Sequence, residues 1–185
     1  EKCRKSGNHM LGIFIDLSKA FDTIDHTILI SKLYRYGIRG PALLLIKSYL
    51  SNRKQYTETL GEKSDKLLTL YGVPQGSVLG PLLFLFYIND LPNCSNLATY
   101  VLFADDTNIF VQGKTIAEAY KNGNVVLNAL NKYMILNKLH INMTKCCFIH
   151  FKPTNYKPMA EDGLFNLKVS DFPIKKTTET KFLGV

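Results

Sequence analysis

Three acids in this sequence stand where an ordinary surface acid would not. Asp16 sits near the end of the apolar run LGIFIDL, Leu11 to Leu17, and Asp105 with Asp106 lies between two short apolar runs, Ala98 to Phe103 and Asn108 to Val111. A buried carboxylate is costly on its own, so a partner charge or a metal usually accompanies it. Two divalent ions about 4 Å apart, held by two or three carboxylates, stabilise the attacking and leaving oxygens of a phosphoryl transfer together. Magnesium suits such a site because it takes few protein oxygens and keeps water and phosphate in its remaining positions. The same residues admit blander readings: Asp pairs support surface turns by bonding their own backbone, and paired acids also serve glycosidases as general acid and base.

The elements that must position these acids can be read from periodicity. Leu11 to Leu17 has the pattern of a buried strand that delivers Asp16 to its C-terminal rim. Ala98 to Phe103 and Asn108 to Val111 form a hairpin bent at Ala104 to Thr107. Two strands from distant parts of the chain can bring the acids together at one sheet edge. Between them, Ile28, Leu29, Leu33 and Tyr36 mark a helix closed by Gly37, and a second helix runs from Pro41 to Leu50. Gln55 to Leu60 is expected as a strand, with Leu67 to Tyr71 as its partner. The segment GVPQGSVLGP, Gly72 to Pro81, opens as a tight loop and enters a helix from about Ser77 to Asn89. Thr115 and Glu118 make a capping box for a long helix marked by Ile116, Ala119, Gly123, Val126, Leu130 and Tyr133, in which an exposed Gly123 would cost about 1 kcal/mol relative to Ala. Cys146 to Phe151 reads as a strand, Phe165 to Val169 as a weaker one, and Lys181 to Val185 as a last apolar fragment.

The totals agree with an anion-binding protein without choosing the anion. A chain of 185 residues, 46% hydrophobic, can bury one core, and its 23 basic residues exceed its 15 acids to give a formal charge of +8. Cys3, Cys94, Cys146 and Cys147 lack zinc-knuckle or redox-pair spacing and read as free thiols in a reducing compartment. The apolar stretch Val78 to Ile88 is too short to span a bilayer, and the first residues make no signal peptide. The chain starts at Glu1 and stops after an apolar run, so an excerpt of a longer protein is expected.

Three motifs together are more specific than any acid alone. FIDLSKAFDTIDH, Phe14 to His26, resembles the first catalytic motif of reverse transcriptases of the non-LTR, LINE-like retrotransposon group. GVPQGSVLGPLLFLFYINDLP, Gly72 to Pro92, resembles the motif behind the incoming nucleotide and template. YVLFADDTNIF, Tyr100 to Phe110, carries the FADD form of the paired aspartates. NKLHINMTKCCFIHF, Asn137 to Phe151, looks like the fourth palm motif, and KFLGV, Lys181 to Val185, like the start of the primer grip. The resemblance covers nearly everything from Leu11 onward, with little specific signal in Lys114 to Tyr133 and Asn155 to Thr180.

This resemblance implies an α+β polymerase palm, an antiparallel sheet backed by helices, with part of the fingers and no thumb, as one partial reverse transcriptase domain over residues 1–185. It implies that Asp16, Asp105, Asp106 and the backbone carbonyl of Leu17 hold two magnesium ions, replaceable by manganese. Phe21 matches the steric gate against a ribonucleotide's 2′ hydroxyl, and a core aromatic is its plain alternative. Pro74, Gln75 and Gly76 match the loop that touches the template base and nucleotide, with Gly76 expected where a Cβ would intrude. Lys145 matches a candidate proton donor to pyrophosphate, and Phe182, Leu183 and Gly184 match the primer grip. Lys19 and His26 carry no such role, His26 being expected to cap or pack. Arg53, Lys54, Lys63 and Lys66 could track a nucleic-acid backbone. The implied partners are an RNA template, a DNA primer and deoxynucleoside triphosphates, with no membrane; the implied setting is the nucleus, with a cytoplasmic ribonucleoprotein also open, and the oligomeric state is undetermined. Two other functions fit the acids: a decayed or domesticated palm that only binds nucleic acid or protein, and a metal-dependent nuclease, which offers no reason for Phe21 or the Gly72 to Pro81 loop.

Overall fold

The computed structural model describes residues 7–154, 156 and 164–180. They form two compact units, one from residues 7–18 with those from Asp90 onward, the other from Lys19–Asn89. In chain order the elements are β1 (His9–Ile15), α1 (His26–Arg35), α2 (Gly40–Leu50), the two-residue strands β2 (Lys54–Gln55), β3 (Glu58–Thr59), β4 (Glu62–Lys63) and β5 (Leu67–Leu68), α3 (Leu79–Ile88), a 3-10 turn at Leu91–Cys94, β6 (Ala98–Phe103), β7 (Asp106–Gly113), α4 (Ile116–Leu136), β8 (Cys147–Phe151), β9 (Lys168–Val169), β10 (Phe172–Pro173) and β11 (Lys175–Lys176).

In the first unit β1 is the middle strand of a sheet ordered β11-β8-β1-β7-β6, antiparallel except where β11 joins β8. Strand side chains alternate between faces. Leu11, Ile13 and Ile15 are fully buried and stand opposite Val111, Ile109 and Thr107 of β7. Helix α4 covers that face with Ala119, Tyr120, Gly123, Val126, Leu127 and Leu130, all buried at helical spacing. Met10, Gly12 and Phe14 point to the other face, opposite Gln112, Phe110 and Asn108. The α+β reading therefore holds: an antiparallel-rich sheet with a helix on one side.

Packing corrects two expectations here. Gly123 is buried: an added Cβ would lie 2.8 Å from Leu167 Cδ2 and 3.2 Å from Leu11 Cδ1, so it is a place of close packing and not an exposed weak point in the helix. The capping box is half as expected. Thr115 Oγ1 accepts from Glu118 N at 3.1 Å, but the Glu118 carboxylate accepts from Lys114 N, at 2.7 Å, one residue before the cap. The two-residue bend of the hairpin is also tighter than expected, since Phe103 pairs with Asp106 and only Ala104 and Asp105 remain in the turn.

In the second unit α1 is capped by Asp25, whose Oδ1 accepts from Ile28 N at 3.0 Å, while His26 packs, its Nε2 donating to Gly72 O at 2.7 Å. Helix α1 lies against α3 through Leu29, Leu33, Phe84, Tyr87 and Ile88, all fully buried. Lys32 is buried too, and its Nζ donates to Tyr87 O at 2.6 Å, a cation on the electronegative C-terminal turn of α3. The strand expected from Gln55 to Leu60 is instead split into β2, which pairs with β5, and β3, which pairs with β4. Its residues are exposed on both faces, so no core holds it to one continuous ladder, and Leu60 and Gly61 take positive φ to turn the second hairpin.

The tightest approach is where β7 meets the start of α4. A Cβ on Gly113 would lie 2.3 Å from Ala119 N and 2.7 Å from its Cα. Backbone cannot yield as a side-chain tip can, so Gly113→Ala should destabilise the protein by about 1–3 kcal/mol, the usual cost of overpacking. Urea unfolding monitored by circular dichroism checks this: a lower midpoint with an unchanged slope is expected, and an unchanged midpoint would mean that α4 is free to lift away from the sheet.

Candidate active site

Asp16 directly follows β1. Continuing the ladder Phe14↔Asn108, Ile15↔Thr107 by one residue sets Asp16 opposite Asp106, the first residue of β7. The turn that delivers Asp106 holds Ala104 at φ 49, a left-handed conformation that costs a non-glycine residue about 1 kcal/mol or more. Asp16 and Asp106 line one cleft of about 380 Å³ with Phe14, Asn108, Lys145 and Thr180. Lys145 Nζ lies 3.7 Å from Asp16 Oδ2, the ion pair of this cleft. Asp105 is not part of the cleft wall, yet its charge reaches Asp106: partial burial first, then the charges of Asp105 and Asp16, raise the Asp106 carboxyl above its ordinary pKa.

The donor set fits a hard divalent ion in kind, because carboxylate oxygens are what magnesium prefers. In arrangement the fit is partial. Asp16 and Asp106 face one space, but among the described residues no three acids, histidines or cysteines are gathered as a ready metal cluster. Leu17 is buried and bridges Ile141, in a pairing whose hydrogen bonds are Asn142 N to Asp16 O, 2.9 Å, and Ser18 N to His140 O, 2.8 Å. In that pattern the bridged residues do not bond each other, so the Leu17 carbonyl is not spent on Ile141. Cys146 packs behind the acids, and burial pushes its thiol up to about 11, which keeps it protonated at neutral pH. Cys94, Cys146 and Cys147 are all free thiols, as expected.

The second unit carries the other expected residues. Phe21 is half-buried with its ring 4.8 Å from that of Phe84, so it is not a fully enclosed core aromatic. The loop after β5 is fastened to the turn after Phe21: Val73 N donates to Phe21 O at 2.9 Å, and Gly72 N donates to Ile24 O at 2.8 Å. Gly72 has φ +80, and a Cβ there would lie 2.8 Å from Asp22 Cα. Gly76 has φ +77 with nothing within 4 Å, so within the protein its conformation, not crowding, calls for glycine. Pro74 O accepts from Ser77 Oγ at 2.6 Å, and Ser77 Oγ accepts from Gly80 N at 3.0 Å. This hydroxyl link takes up the expected first turn, and α3 begins at Leu79. A cleft of about 510 Å³ opens beside the loop, lined by Lys19, Asp22, Arg53, Lys54, Tyr71 and Gln75 among others. Lys63 pairs with Glu58 at 3.6 Å and is not in that wall. Phe182, Leu183 and Gly184 lie outside the described residues.

Sequence reasoning missed Asn108, Thr180 and Asp22. Asn108 had a signal: two residues beyond Asp106 on one strand, it must share that face, and it is buried with its Nδ2 donating to Val101 O at 3.2 Å. Thr180 had none. The raised pKa of Asp106 means that the folded state binds a proton more readily than the unfolded chain, so this group's contribution to stability is greatest at acid pH and is lost as pH rises through its folded pKa. Asp106→Asn should therefore raise the melting temperature slightly at pH 7 and lose that advantage as pH falls below the carboxylate range. Thermal melts across pH test this, and a variant less stable than the parent at pH 7 would show that the three acids do not strain one another.

With this geometry in hand, comparison with known proteins is informative. The family model for reverse transcriptase (RNA-dependent DNA polymerase) matches residues 1–185. The RNA-directed DNA polymerase from mobile element jockey of Drosophila melanogaster is 32% identical over 154 residues, 77% of this chain and 16% of that protein. Its counterpart in Drosophila funebris is 31% identical over 181 residues, 93% of this chain and 19% of that protein. The chain thus spans less than a fifth of these relatives. Among solved structures, apo telomerase from Candida tropicalis, truncated from the C-terminal domain, shares the fold with a TM-score of 0.57 at 12% identity, covering 82% of this chain and 32% of that one. A catalytic-type carboxylate pair on adjacent strands, a polymerase palm-like sheet and a family match over the whole length lead to one conclusion: the chain belongs to the reverse transcriptase (RNA-dependent DNA polymerase) family and is most like those of non-LTR retrotransposons.

Proposed function

We propose that this chain is the catalytic core of an RNA-directed DNA polymerase of a non-LTR retrotransposon, adding deoxynucleotides to a DNA primer on an RNA template. The observation that carries this reading is the opposition of Asp16 and Asp106 across one cleft, with Asp105 adjacent in the chain. Asp16, Asp105, Asp106 and the Leu17 carbonyl would hold two magnesium ions. Bound there, the metal supplies charge neutralisation for the triphosphate and lowers the pKa of the primer 3′ hydroxyl. Lys145, already paired with Asp16, is placed to protonate the departing pyrophosphate. The unit with the sheet acts as the palm, and the unit from Lys19–Asn89 contributes fingers elements, with Phe21 excluding a 2′ hydroxyl and Pro74, Gln75 and Gly76 meeting the nucleotide and template. Arg53 and Lys54 line a cleft that suits a phosphodiester backbone. Fingers and thumb segments supplied by a longer parent protein would complete the grip, and the site of action would be the nucleus. No described helix is long and apolar enough to cross a membrane.

Primer extension on RNA by the parent protein containing this segment tests the reading. Asp16→Asn should lower the rate about a thousandfold, the scale on which loss of transition-state charge stabilisation is felt, while duplex binding stays near that of the parent; extension at the parental rate would overturn the assignment. Phe21→Ala should narrow the deoxy-to-ribonucleotide ratio of kcat/KM by about tenfold or more, and an unchanged ratio would make Phe21 a packing residue only.

A further inference from the structure

The Gly72 to Gln75 loop reached its place by several independent contacts, and one of them is chemically directional. Gln75 Nε2 donates to Asp22 Oδ1 at 2.9 Å, a side-chain pair spanning 53 positions of sequence. The backbone around it is already fixed: Gly72 abuts Asp22 with no room for a Cβ, Val73 N donates to Phe21 O, and Tyr71 bridges Asp25. The exposed Asp22–Gln75 bond is therefore not needed to hold the loop. What it does fix is the amide. An ionised carboxylate only accepts hydrogen bonds, so it selects the NH2 edge of an amide that could otherwise lie either way round. The Gln75 oxygen is then left as the group offered to the cleft that both residues line.

We propose that Asp22 is a positioning residue for nucleotide addition: it turns Gln75 so that Oε1 accepts a hydrogen bond from a sugar hydroxyl of the bound substrate. This rests on the polymerase reading above. A hydroxyl is the fitting donor because a polymerase must accept all four bases, and a fixed acceptor aimed at a base would favour those with an amino group there. Sugar hydroxyls are common to every nucleotide. Lys19, Arg53 and Lys54, in the wall of the same cleft, supply the positive charge that a sugar-phosphate requires. Two hydroxyls qualify, the 3′ hydroxyl of the incoming nucleotide and the 2′ hydroxyl of the RNA template, and both call for the same acceptor.

The test is single-nucleotide addition by the parent protein, with KM and kcat measured separately. Asp22→Ala should raise the nucleotide or template KM about tenfold, the scale of one hydrogen bond, with a smaller change in kcat. Gln75→Ala should do the same, and the double variant should be no worse than either, because the two act through one contact. Asp22→Asn should recover most of the loss, since its amide oxygen still accepts from Gln75. Should Asp22→Ala fail to fold, the pair Asp22→Asn with Gln75→Glu serves instead. It keeps an acceptor toward the cleft and should outperform Gln75→Glu alone, where two carboxylates face each other. Loss of preference for deoxy over dideoxy nucleotides in Asp22→Ala identifies the nucleotide hydroxyl, and loss of preference for RNA over DNA template identifies the template hydroxyl. Neither preference changing, multiplicative effects of the two alanines, or an Asp22→Asn as impaired as Asp22→Ala would overturn the proposal. A wild-type protein that does not extend primers at all would instead bring down the polymerase reading, and this inference with it.

Discussion

Like charges repel, and a protein that sets Asp16 opposite Asp106 on neighbouring strands must hold them there by something stronger. That something is the register of β1 against β7. Leu11, Ile13 and Ile15 stand against Val111, Ile109 and Thr107 beneath α4. A slip of one residue would drive that apolar set out of the core and turn Asp16 to the wrong face. The apolar face thus determines where the polar face presents its acids. Gly113 and Gly123 belong to the same constraint, because they let the sheet edge and Leu11 approach α4 closely enough to lock the register. The raised pKa of Asp106 is the electrostatic mark of what this arrangement imposes.

The unit from Lys19–Asn89 solves a different problem, which is to hold an irregular loop in one shape. It does so by fastening Gly72 to Gln75 onto the turn from Phe21 to Asp25, with backbone hydrogen bonds, the His26 bond to Gly72 O and the steric demand at Gly72. FDTIDH and GVPQG, separate motifs in the sequence, are therefore two halves of one structural unit. Beneath them, the buried Lys32 on the end of α3 and the Asp25 cap of α1 keep the two helices that support the loop in register.

Much of this was legible in the sequence, and the gaps have physical causes. Period-two burial made β1 readable, and its strand ends where expected, one residue before Asp16. Helix periodicity likewise placed α1, α2 and α4 to within a few residues. Boundaries set by single contacts were not readable. The Ser77 hydroxyl delays α3, Asp106 joins its strand because the hairpin turn closes in two residues, and an exposed segment such as Gln55 to Leu60 has no core to make it one strand. Gly123 looked like a weak helix position because sequence shows a missing side chain but not the Leu167 and Leu11 side chains that need its space. Of the candidate site, Asp16, Asp106 and Lys145 come together as their motifs implied, whereas the directional bond between Asp22 and Gln75 depends on a fold-level approach that no spacing encodes.

The central claim is that the β1–β7 register builds a divalent-cation site from Asp16 and Asp106. Paramagnetic broadening by manganese in amide-resolved NMR spectra reports on it directly, since it detects even weak binding by proximity. The account predicts broadening centred on residues 15–17 and 105–107 that magnesium reverses by competition and that Asp16→Asn abolishes. Broadening centred elsewhere, or unchanged in that variant, would contradict it.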